Sequence, residues 1–154
     1  MSNPSKAKGT SAEVAVLKYV RAHGYPWAER LALTGAHDQG DISLLPGRLV
    51  VVEVKAHATG ATGQPTESLL TQWMAQTAAE RVNAGADHGV LVVKRKGTTD
   101  VGRWWAYVTA GAFASLLGAE LELPDPDAPL CTSVSSLLPV LRAAGYGSPV
   151  EVAS

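Results

Sequence analysis

Apolar and polar positions change period several times along the chain, and each change marks an element. From Thr10, Glu13, Val16, Leu17 and Val20 share one helical face while Lys18 and Arg21 fall off it. That spacing predicts a helix capped at Thr10 and stopped by His23-Gly24-Tyr25-Pro26. Residues 29–34 (ERLALT) alternate loosely as a strand, and 35–40 (GAHDQG) form a loop. A second strand starts at Asp41, turns at Pro46-Gly47-Arg48 and returns as Leu49 to Lys55 (LVVVEVK), the strongest β-branched run in the sequence. A Gly/Thr linker over 58–66 leads to an amphipathic helix from Glu67 to Ala84. His88 to Lys94 and Arg103 to Thr109 read as two strands across the basic turn Lys94-Arg95-Lys96-Gly97. Gly111 to Gly118 and Ser133 to Ala144 read as closing helices.

Helix, three strands, helix, two strands is the order of an α/β fold with a mixed central sheet covered by helices. Residues 1–9 are polar with Pro and Gly and read as a flexible arm. Residues 10–119 form the domain that holds the chemistry, and 120–154 an acidic, proline-punctuated connector with a C-terminal helix and tail. There is no internal repeat.

The 154 residues, 46% hydrophobic and 18% charged, suit one core rather than a disordered chain. A single cysteine, Cys131, excludes a disulfide framework and a CxxC zinc site. With no charged-then-apolar leader, the expectation is a cytoplasmic protein. The uncharged stretch Trp104 to Ala119 is shorter than the ~20 apolar residues of a membrane span, so no membrane partner is expected. The net charge of −1 conceals a division. Residues 1–103 hold 12 basic and 9 acidic side chains, whereas 104–154 hold only Arg142 against five acidic ones. A basic patch attracts phosphate even when the mean charge does not.

Gly40-Asp41-Ile42 followed by Glu53-Val54-Lys55 carries the chemistry. A hairpin brings Asp41 beside Glu53, and strand alternation puts Glu53 and Lys55 on one face. Two close carboxylates ionise together only with a cation between them. Oxygen donors suit magnesium or manganese, which can activate a water and polarise a phosphoryl oxygen, while Lys55 orients that water or neutralises charge. Phosphodiester hydrolysis requires these parts, because the barrier to be lowered is on the order of 20 kcal/mol.

The Asp, spacer, Glu-X-Lys pattern after a Glu-bearing first helix resembles the PD-(D/E)XK nuclease superfamily. Within it, the chain is similar to archaeal-type Holliday junction resolvases and related phage and bacterial endonucleases. The resemblance rests on Gly9 to Glu13, Arg30, Gly40-Asp41-Ile42 and Val51 to Lys55, and covers about residues 9–109. It implies a restriction-endonuclease-like αβββαβ core in a nuclease domain over 10–119. It also implies metal binding by Asp41, Glu53 and the Val54 carbonyl, a supporting acidic role for Glu13 and water orientation by Lys55. A magnesium-dependent homodimer cutting branched DNA would follow. Gly40 stands where the motif has proline, and the tail beyond about residue 119 lies outside the likeness.

Other roles stay open on the residues alone. Glu13 could complete a capping box with Thr10, and Glu53 with Lys55 could be an ion pair on a solvated strand end. Arg30, Lys94, Arg95 and Lys96 are candidates for gripping DNA phosphates. Gln72 and Gln76 lie one turn apart on the second helix, where related nucleases sometimes place a glutamine. Of the histidines, His57 alone is near the cleft, and no histidine shows metal-ligand spacing. Trp104, Trp105 and Tyr107 could stack on bases, or be core. The functional alternatives are a general duplex or repair nuclease of the same superfamily, and a nuclease-like module that binds nucleic acid without cutting it.

Overall fold

The computed structural model describes residues 4–32, 38–57 and 63–149. Helix α1 runs from Pro4 to Ala22, and Ala12, Val16, Leu17 and Val20 form its buried stripe. It therefore starts within the stretch expected to be a flexible arm, and Thr10 lies inside it rather than capping it. A proline is well suited to the first helical position, since its fixed φ fits and its missing N–H would have no partner there. Three strands follow: β1 (Glu29–Arg30), β2 (Ile42–Ser43) and β3 (Val50–Lys55). Helix α2 (Glu67–Ala84) has Thr66 as N-cap, accepting from the Leu69 amide, and left-handed Gly85 beyond its last turn. Then come β4 (His88–Val93), a 3₁₀ turn over Val101–Arg103, β5 (Trp105–Thr109) and α3 (Ala110–Leu116). The chain closes with β6 (Pro129–Ser133) and α4 (Val134–Ala143), capped by the Ser133 side chain.

The six strands among the described residues form one sheet in sequence order. All neighbours are antiparallel except β3 and β4, which pair in parallel from Val50↔His88 to Lys55↔Val93 across α2. A parallel pair requires a crossover, and α2 supplies it. The fold is thus α/β, a mixed sheet flanked by helices. Strand β6 extends the sheet from residues read as connector, pairing Trp105↔Ser133 to Thr109↔Pro129.

Alternation along β3 divides the molecule. Val50, Val52 and Val54 point into the main core with Val90, Val92, Ala106 and Val108, and there meet Val16 and Val20 of α1 and Leu137, Leu138 and Leu141 of α4. Each buried aliphatic side chain is worth about 1.5–3 kcal/mol. The other face carries Leu91, Val93 and Tyr107 under Trp73 of α2, and on this face stand Glu53 and Lys55. Trp104 and Tyr107 are buried on opposite faces, which removes them from base stacking. Among the described residues no helix is long and apolar enough to cross a membrane.

Candidate active site

The ladder between β2 and β3 gives out at Asp41, and the site begins there. Gly40, at φ +97°, delivers the chain to Asp41, whose amide donates to the Val52 carbonyl at 2.9 Å. Two residues farther along β3, the Val54 amide donates to Asp41 Oδ2 at 2.8 Å. A side-chain carboxylate thus replaces the backbone acceptor that a longer β2 would have supplied. Because N–H and C=O of one strand residue point the same way, the Val54 carbonyl faces the same edge as Asp41. Burial, and next the charge of Glu53, push the Asp41 carboxyl up to about 8, against the favourable Val54 bond.

Glu53 is 5% exposed at the center of β3. Its Oε1 receives Lys55 Nζ at 3.2 Å and Gln76 Nε2 at 3.4 Å, while its Oε2 is buried without a hydrogen-bond partner among the described residues. Burial first, then the adjacent Glu80 carboxyl, push Glu53 up to about 8. The Glu53–Lys55 pair is therefore an interior one, not the solvated strand-end pair that would contribute little. Lys55 Nζ also donates to Gln76 Oε1 at 2.9 Å and lies 5.7 Å from the center of the Trp73 ring. Gln76 Nε2 donates onward to Glu80 Oε1 at 3.0 Å.

Of the two glutamines on α2, Gln76 faces the site and Gln72 faces solvent. Glu80, 2% exposed, was not among the expected residues. The signal for it is helical spacing: Trp73, Thr77 and Glu80 are the buried residues of α2. They mark one inward face, and Glu80 is a carboxylate on it.

Glu13 reaches this cluster from α1, and its charge further raises the Asp41 carboxyl. Its Oε2 receives Arg30 Nε at 3.2 Å and Nη2 at 2.5 Å. The capping-box role fails, since Thr10 is mid-helix. Arg30, a candidate for gripping a DNA phosphate, pairs with Glu13 and keeps 41% of its side chain exposed.

Beyond Lys55 a cavity of about 650 Å³ opens, lined by His57, Gly63, Lys94, Arg95, Lys96 and Thr98 among others. The Lys94 amide donates to the Lys55 carbonyl at 2.8 Å, so the basic turn is hung directly from the end of the site strand. The Arg95 guanidinium carbon lies over Trp105, 4.2 Å from its ring center, and Lys94 Nζ lies 5.8 Å from that of Trp104. These contacts hold the cations in place without neutralising them. His57 is exposed and edge-on to Trp73. His37 lies outside the described residues.

Among the described residues no three His, Cys, Asp or Glu side chains are grouped to hold a metal. The expected set is instead two carboxylates and one main-chain carbonyl. Asp41 and Glu53 fit a hard cation by their chemistry: both are oxygen donors, both have their ionised forms disfavoured by burial, and Glu53 Oε2 is an unpartnered buried acceptor. Comparison of the chain with protein-family models, curated proteins and solved structures gave no match.

Proposed function

We propose that the chain is a divalent-cation-dependent endonuclease that hydrolyses phosphodiester bonds in DNA. The observation that carries this reading is the joining of Asp41 to Val54 through the backbone amide, which sets the Asp41 carboxylate beside the strand bearing Glu53 and Lys55. The element order α1, β1, β2, β3, α2, β4 runs as the αβββαβ core of PD-(D/E)XK nucleases does, and supports it further.

Asp41, Glu53 and the Val54 carbonyl would hold magnesium or manganese, which when bound lowers the pKa of a water and polarises the phosphoryl oxygen. Lys55 orients the attacking water and offsets charge that develops on the phosphoryl group. Gln76 holds Lys55, and Glu13 adds negative charge beside Asp41. Lys94, Arg95 and Lys96 seat a phosphate of the strand next to the one cut, in the cavity beyond Lys55. Arg30, its side chain 41% exposed, serves a second phosphate.

Branched DNA, most concretely a four-way junction, is the substrate class of this reading. A junction is resolved by two symmetric nicks, which a homodimer with two sites delivers. The uncombined Cys131, exposed on β6, is compatible with work in the reducing cytoplasm.

The test is cleavage of labelled four-way junction and matched linear duplex, with magnesium and with chelator, by wild type and Glu53→Ala. Paired nicks in the junction alone, lost with chelator and in the variant, are expected. Equal cutting of both substrates would replace the resolvase by a general nuclease. Binding with no metal-dependent cutting would replace the enzyme by a non-catalytic module.

A further inference from the structure

Glu80 has no part in the reaction as proposed, yet it is among the most deeply buried polar side chains of the protein. Its Oε1 accepts from Gln76 Nε2, and its Oε2 is buried with no hydrogen-bond partner among the described residues, beside the Glu53 carboxyl and near Gly40. On the opposite side of the Gln76 amide, Oε1 accepts from Lys55 Nζ. An ammonium only donates, and the carboxyl oxygen facing Gln76 accepts. A carboxamide between such neighbours satisfies both in one orientation, carbonyl toward Lys55 and amino group toward Glu80. Turned by half a rotation, it sets donor against donor and acceptor against acceptor at a partly buried site, where the mismatch costs free energy.

We infer that Glu80 is a positioning residue, which locks the orientation of Gln76 and thereby fixes the Lys55 ammonium against Glu53. The inference rests on the nuclease reading only for what that ammonium then does. Without Glu80, the Gln76 amino group keeps only its longer bond to Glu53 Oε1 at 3.4 Å, and the amide loses the shorter of the two acceptors that hold it with its carbonyl toward Lys55. In Glu80→Gln the new amino group can donate to Gln76 Oε1 and compete with Lys55 for it. Glu80→Met, of similar length, removes the acceptor altogether and serves as a second variant should the first misfold.

Two readouts test the inference on the full chain. The first needs no cleavage: competitive acetylation of Lys55 by acetic anhydride, measured by mass spectrometry against exposed Lys18. Either Glu80 variant, and Gln76→Ala, should raise Lys55 labelling about threefold, since an amine released from hydrogen bonds reacts more readily. The second is junction cleavage with magnesium, where kcat should fall about ten- to a hundredfold, the scale of losses when partners behind a site are removed. KM, and DNA affinity in chelator, should stay within about twofold. The double variant with Gln76→Ala should lose no more than the worse single, because both changes cut one chain of contacts.

Unchanged Lys55 labelling, additive losses in the double variant, or an effect confined to KM would overturn the inference. If the wild type cuts no DNA but Lys55 labelling responds, the nuclease reading falls and the positioning role stands. Cutting with an unresponsive Lys55 gives the reverse.

Discussion

Val54 and Asp41 are joined main chain to side chain, N–H to Oδ2 at 2.8 Å, across the point where β2 stops. The site strand therefore orients the first carboxylate itself, and two chain segments that sequence separates by a turn become one rigid unit. Asp41→Asn keeps an oxygen for the Val54 amide but removes the charge. We expect DNA cleavage to fall at least about a hundredfold. DNA affinity in chelator should be unchanged or higher, as one negative charge is lost. Retained cleavage in a gel assay would show that Asp41 is not part of the machinery.

Stability without metal should depend on pH in an unusual direction. Asp41 and Glu53 are both raised to about 8 in the folded protein by burial and mutual repulsion with their acidic neighbours. Unfolded, such carboxyls titrate near about 4. The folded state thus binds more protons between these values, and stability falls as pH rises through that window. The contribution is complete below about pH 4 and lost above about pH 8. In chelator, the thermal midpoint should drop between pH 5 and 9, and Glu53→Gln should flatten the fall. A midpoint that climbs over this range would contradict the burial of the pair.

Lys94 and Lys96 project from the turn hung on the end of β3. If they meet phosphates, Lys94→Ala and Lys96→Ala should each weaken DNA binding irrespective of sequence. Each should also reduce the slope of log affinity against log salt by about 1. Titrations in chelator at several salt concentrations measure this. An unaltered slope would place the DNA elsewhere.

Leu141 of α4 is fully buried among residues from α1 and the sheet. Leu141→Ala should lower unfolding free energy by about 2–5 kcal/mol in a denaturant titration. One transition for the whole chain should remain, because α4 fills the same core as α1 and the sheet. A separate early transition would mean that the C-terminal helix folds independently.

Sequence legibility followed how much each element depends on its own residues. Helix α2 is legible because Gly85 ends it, though Thr66, its N-cap, reads as part of the linker, and β3 because its valines are buried on both faces of the sheet. The shared face of Glu53 and Lys55 follows from alternation alone. The start of α1 was hidden, since Pro4 to Gly9 show no apolar period. Strand β6 was hidden too: Pro129, Leu130 and Cys131 are exposed at a sheet edge, where alternation has nothing to point into. Glu29 to Thr34 suggested a longer strand than β1, which pairs only at Glu29 and Arg30. Glu80 was missed because a glutamate on an amphipathic helix ordinarily marks the wet side. The Glu13–Arg30 pair joins residues seventeen apart in sequence, on different elements. Only packing shows that this arginine is already answered by a carboxylate.

Gly40 gives the departure from the motif a geometric meaning. At φ +97° the backbone takes a left-handed step just before Asp41, and a β-carbon would come within 3.3 Å of the Val52 carbonyl and 3.6 Å of Glu80 Oε2. Proline, confined to φ near −65°, cannot make that step. The residue that names the motif and the route this chain takes to its first carboxylate are thus mutually exclusive. Here the approach to the site has a handedness of its own, and the space left by the absent side chain lies beside Glu80.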